Sequence, residues 1–102
     1  MAKKLLQINL RFSVSATELA KEFMSAATPI SSVKGLKWKI FGMDEKRGEG
    51  AGIYLFEDEN ALKSYLEGPI VAAMKDKAAF SDIRVTSFDV VEEATLVTRG
   101  PI

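Results

Sequence analysis

Hydrophobic periodicity along the chain runs strand, helix, strand, strand, helix, strand, and this order predicts an α+β sandwich. Three observations carry it: strict alternation near the N-terminus, two segments at helical spacing that each follow a capping residue, and a polar turn between two central strands. A long central hairpin flanked by two strand–helix units is the ferredoxin-like arrangement, one antiparallel sheet with two helices on one face. The 102 residues are most simply one domain, residues 1–102.

Each element has its own signal. Leu6, Ile8, Leu10 and Phe12 alternate with Leu5, Gln7, Asn9 and Arg11, which marks a strand over residues 5–12. Ser15 and Glu18 have capping-box spacing, and Ala16, Leu19, Ala20, Phe23, Met24 and Ala27 follow at helical intervals. Because the residue before a proline is pushed out of the α region, this helix is expected to end before Pro29. Gly35 opens a second strand, with Leu36, Trp38 and Ile40 in one row. Residues 44–48 carry turn chemistry, and a third strand spans 50–57. Asp58 is placed to cap a helix containing Ala61, Leu62, Tyr65 and Leu66. Gly68-Pro69 breaks it, and a further helical piece carries Ile70, Val71, Ala73 and Met74. Residues 82–92 read as the last strand, and residues 95–99 as a short extra strand or arm.

The helices cover one sheet face. The other needs a cover too, and its row is expected to include Leu6, Ile8, Leu10, Phe12, Ile53 and Leu55. Four strands about 4.8 Å apart and about 18 Å long span on the order of 350 Å². A monomer seldom leaves that much contiguous apolar surface in water. Two such sheets packed face to face would bury it, so a homodimer through the open sheet face is expected.

Composition excludes much chemistry. The chain has no His and no Cys, so no thiolate or imidazole metal site, no Cys nucleophile and no His base can form within it. No carboxylate spacing suggests Ca²⁺ or Mg²⁺, and neither a metal nor a cofactor is expected. Lys plus Arg and Asp plus Glu each total 14, for a formal net charge of zero, which argues against a nucleic-acid partner. The N-terminal run is interrupted by polar residues at every second position, unlike a signal peptide, and nothing approaches the roughly 20 apolar residues of a membrane span. A cytoplasmic protein with no membrane partner is the expectation.

The glycines at 48, 50 and 52 admit three readings. As a phosphate loop they are misplaced, because they precede a strand rather than a helix N-terminus. As the third strand of an RNA-recognition module they fail on chemistry: Glu49 stands where Lys or Arg is wanted, and Ala51 and Ile53 where stacking aromatics are wanted. The steric reading remains. Gly50, Gly52, Tyr54 and Phe56 share one face, and two missing side chains there leave room for a large neighbour such as Trp38, or for a ligand.

The segment GIYLFEDENALKSYLEG, with Gly35-Leu-Lys-Trp38-Lys upstream, Phe88-Asp-Val downstream and Leu5-Leu-Gln-Ile-Asn-Leu at the start, resembles the YdhR-type monooxygenases over nearly the whole chain. The resemblance implies a dimeric α+β barrel. More distantly, the arrangement is similar to the antibiotic-biosynthesis monooxygenases and the haem-degrading enzymes. In those the pocket lies between sheet and helices and the barrel between the two sheets is largely apolar. It implies that Gln7 and Asn9 face the helices, that Asn9 matches a pocket asparagine, and that Tyr65 stands where haem-degrading members carry a tryptophan. Their haem-ligating histidine has no counterpart here.

The candidate site is therefore Asn9 as the catalytic hydrogen-bond donor, with Trp38, Tyr54, Tyr65 and Gly52 lining a substrate pocket. The bland alternatives are a solvent-facing Asn9, a core Trp38, and tyrosines that are ordinary core or rim. The function expected is a cofactor-independent monooxygenase acting on a small electron-rich aromatic of the hydroquinone or polyphenol kind. A non-enzymatic small-molecule binder using the same pocket is the alternative.

Overall fold

A computed structural model describes residues 2–102. Strands β1 (Lys4–Phe12), β2 (Leu36–Asp44), β3 (Glu49–Phe56) and β4 (Phe80–Asp89) form one antiparallel sheet in the order β2-β3-β1-β4. Helix α1 (Ala16–Ser31) joins β1 to β2, and α2 (Glu59–Leu66) with α3 (Pro69–Asp76) joins β3 to β4. This is the ferredoxin-like α+β fold, and the sheet does not close on itself.

The caps are those the residue types call for. The Ser15 hydroxyl accepts from the Glu18 amide at 3.1 Å, and Asp58 Oδ1 from the Ala61 amide at 2.9 Å. Three boundaries differ from the sequence expectation, the first being that the last strand, expected over residues 82–92, runs Phe80–Asp89. Helix α1 runs through Pro29 to Ser31. Proline in the last turn removes one amide donor, the one that would meet the Ser25 carbonyl, and Ser25 is an exposed residue. Residues 95–99 form no strand; the segment after β4 turns into a short helix, α4 (Glu92–Val97).

The largest correction concerns which face of the sheet is covered. Leu6 pairs with Tyr54, Ile8 with Gly52 and Leu10 with Gly50, so the apolar row of β1 shares a face with the glycines and aromatics of β3. That face carries the core: Leu6, Ile8, Tyr54 and Phe56 pack with Ile30, Leu62, Tyr65 and Val71 from the helices. The open face carries Gln7, Asn9, Ala51 and Ile53 instead. Strand alternation fixes which residues share a face but not which face the helices take. The apolar row is the one that can bury without leaving amides unpaired.

Leu55 lies on the open face and yet is only 1% exposed. The C-terminal segment returns to this side, where Trp38 Nε1 donates to the Pro101 carbonyl at 2.7 Å. A β-bulge between Leu36 and Trp38 separates their orientations: Leu36 packs against the core, whereas Trp38 pairs with Leu55.

Candidate functional site

A cavity of about 280 Å³ lies between the sheet and the helices. Its floor is Ile8 and Leu10 of β1, Lys39 and Phe41 of β2, and Gly52 and Tyr54 of β3. Phe23 and Ile30 of α1, Tyr65 of α2 and Met74 of α3 form its walls, and Phe80 its far end. The register explains the room: Gly52 sits between Phe41 and Ile8 on its two neighbouring strands, and contributes no side chain of its own. A Cβ at Gly52 would lie 2.8 Å from Lys39 Cε, 3.0 Å from Tyr54 Cε1 and 3.1 Å from Tyr54 Oη. The missing side chain is thus what allows the Lys39 stem and the Tyr54 ring to enter the cavity.

Five aromatic rings line the space. Phe23 and Phe41 are tilted with centroids 4.9 Å apart, and Tyr54 and Tyr65 likewise at 5.1 Å. The two tyrosine hydroxyls are hydrogen-bonded at 2.9 Å, and either can be the donor. Burial raises the pKa of Tyr54, and the neighbouring Tyr65 raises it further. Burial also raises that of Tyr65, partly offset by its hydrogen bond with Tyr54. Both therefore stay protonated at neutral pH, and the pair retains one O–H to offer a third group.

Lys39 is the polar residue that the floor presents. Its Nζ lies 3.9 Å from the centre of the Phe41 ring and 4.5 Å from that of Tyr54, in cation–π geometry. Burial disfavours the ammonium and lowers its pKa to about 8. Glu22 and Lys77 stand at the rim, bridged to each other at 2.9 Å. No group of three or more metal-ligating side chains occurs among the described residues.

Of the residues singled out in the sequence, Tyr54, Tyr65 and Gly52 come together here. Asn9 and Trp38 do not line the cavity. Asn9 is on the open face, where its Oδ1 accepts from Gln7 Nε2 at 2.9 Å, and Trp38 is on the same side, held by Pro101. The space beside Gly52 is thus bounded by Lys39 and not by Trp38. Lys39 carries no motif, and alternation places it on the face of β2 opposite Trp38. The signal that finds it is the row it shares with Phe41, once Gly52 and Tyr54 are known to lie beneath the helices.

The fold is ferredoxin-like α+β, with a cavity between its sheet and its helices. The pattern of the family described as "Putative mono-oxygenase ydhR" matches residues 5–101, and the chain belongs to that family. No curated protein matches it. Among solved structures it is similar to the NE2512 protein of unknown function from Nitrosomonas europaea, with a TM-score of 0.76 and 21% identity over 89% of this chain and 91% of that one. It is also similar to SnoaB, a cofactor-independent oxygenase from Streptomyces nogalater, with a TM-score of 0.73 and 14% identity over 90% and 96% of the two chains. A third is the heme-degrader MhuD from Mycobacterium tuberculosis, solved with two hemes bound in its active site: TM-score 0.66, 18% identity, 85% and 95% covered. At these identities the likeness is one of fold.

Proposed function

We propose that the chain is a cofactor-independent monooxygenase of a small electron-rich aromatic, of the hydroquinone or polyphenol kind. The observation that carries this reading is the cavity itself: about 280 Å³ lined by five aromatic rings, with Lys39 and the paired tyrosines on its inner surface and the Glu22–Lys77 pair at its rim. That volume lies just below the about 300–1,000 Å³ of small-molecule sites, which suits a ligand of one or two rings. Membership of a mono-oxygenase family and the fold shared with a cofactor-independent oxygenase support the same reaction class.

The chemistry asks little of a protein. An ionised phenol gives one electron to O₂, leaving a phenoxyl radical and superoxide. Their recombination forms a C–O bond, and loss of water from the resulting hydroperoxide leaves a quinone. The substrate supplies all the electrons: one oxygen atom enters the ring and the other departs as water. The protein contributes a dry, shaped site, orientation of the ring, and donors to the developing negative charge. Tyr54, Tyr65 and Gly52 are its substrate-binding residues in this reading. Incubation with a hydroquinone panel under air should give protein-dependent O₂ uptake that is absent under nitrogen. Saturable binding with no O₂ uptake would leave a non-enzymatic binder.

The open face supports a second proposal, that two copies pack sheet to sheet. Ile40, paired with Ile53, is 54% exposed there, and Phe88, paired with Leu5 at the other side of the sheet, is 52% exposed. Joint replacement of Ile40 and Phe88 by Asp should convert a dimer to a monomer in sedimentation velocity, with the cavity residues untouched. A wild-type protein that sediments as a monomer at micromolar concentration would rule this out.

No helix among the described residues is long and apolar enough to cross a membrane.

A further inference from the structure

An aromatic oxygenase of this kind needs its substrate ionised, and the chain has no histidine to do it. We propose that Lys39 is the ionising group of the cavity, and that the site selects aromatic rings bearing an acidic hydroxyl and holds them as oxyanions with that oxygen on Nζ. This rests on reading the cavity as an aromatic site and says which aromatics it takes.

Three features support it. First, Nζ is inside the cavity, over the faces of Phe41 and Tyr54, where a flat ring would lie against the same walls. Second, the amine is uncommitted: among the described residues no carboxylate lies within 4 Å of it and no protein acceptor hydrogen-bonds it, while Glu22, the one carboxylate along the cavity, is taken by Lys77. A half-buried ammonium in that position favours an anion as its partner. Third, the opening for it is built into the strand, because any side chain at Gly52 would meet Lys39 Cε.

The remaining titratable groups fit the assignment. Tyr54 from β3 and Tyr65 from α2 are kept protonated by burial, so they act as donors. Their spare O–H offers a second hydrogen bond to the oxyanion. The Glu22–Lys77 pair from α1 and the end of α3 is neutral in sum. Above about pH 8 the Lys39 amine takes the proton from a bound phenol, ArOH + H₂N–R giving ArO⁻ + ⁺H₃N–R. Below it, the ammonium draws the phenolate from solution.

The test uses 4-nitrophenol, whose ionised form alone is yellow, and 4-nitroanisole, its methyl ether, which cannot ionise. At a pH where the free dye is mostly protonated, adding the protein should turn the bound dye yellow, its apparent pKa falling by about one unit or more. Lys39→Met should bind the ether as the wild type does and leave the dye colourless, while Lys39→Arg should keep the shift. Lys39→Gln takes the place of the Met variant should that one not fold. Dye and ether binding with no colour change in the wild type would overturn the role of Lys39 and leave the aromatic site standing, as would an undiminished colour change in Lys39→Met. If neither probe binds, the aromatic reading of the cavity falls and this inference falls with it.

Discussion

Gly52→Val should lower kcat/KM for the proposed aromatic oxidation by about 100-fold or more while the protein remains folded. The branched side chain would project from the cavity floor into space now held by the end of Lys39, 2.8 Å from the position of its Cβ. Lys39 is flexible and can swing aside, but doing so removes the amine from the floor. The Tyr54 ring, 3.0 Å away and 1% exposed, has less freedom, so a packing cost of about 1–3 kcal/mol is expected. Valine's strand preference and the chain entropy relinquished with glycine offset part of that. Gly52→Ala should be intermediate, displacing Lys39 without filling the cavity. The measurement is steady-state turnover beside a urea unfolding curve. Full activity in a folded Gly52→Val would show that the chemistry does not take place in this cavity.

Lys39→Met should be more stable than the wild type at neutral pH, and the advantage should disappear in alkali. With a pKa lowered from 10.5 to about 8 in the fold, Lys39 binds fewer protons folded than unfolded between those two values. Wild-type stability therefore rises with pH across that window, is at its full value above 10.5, and has lost the whole contribution below about 8. Methionine carries no such penalty. The difference at neutral pH should be about 1–2 kcal/mol, after allowing for the solvent that still reaches the amine. Urea denaturation of both proteins at several pH values from neutral to alkaline measures it. Parallel curves, with no narrowing toward high pH, would mean that Lys39 is solvated and its pKa ordinary. Together with Gly52→Val, this separates a cavity that binds from an amine that works within it: a variant can gain stability and lose function when a charge is held in apolar surroundings for use.

The architecture was legible because it rests on local signals that agree with one another. The Ser15 and Asp58 caps, the β1 alternation and the glycine turn at residue 48 all act within a few residues of themselves. Gly52 and Tyr54 were legible for a related reason, since the row of small and aromatic residues on β3 is hard to reconcile with solvent, and Tyr65 through its helical spacing and the family resemblance. What the sequence could not settle was sidedness. Asn9 and Leu10 are neighbours on one strand, and alternation alone allows either to meet the helices; deciding it requires knowing that Leu10 pairs with Gly50 and rests beside Leu19 and Phe23. Once that face is misassigned, Asn9 moves into the pocket and Lys39 out of it. Trp38 was misplaced by the same one-residue ambiguity, compounded by a bulge that no residue type announces.

The placement of Trp38 also sets what can be observed. It is the single tryptophan of the chain, and its indole is tied to the Pro101 carbonyl on the side away from the cavity. The polarity that its indole senses will consequently be that of the C-terminal segment and of whatever comes to rest on the open sheet. A second copy packed on that face would change the emission, so a spectral shift on dilution is a test of the sheet-to-sheet proposal.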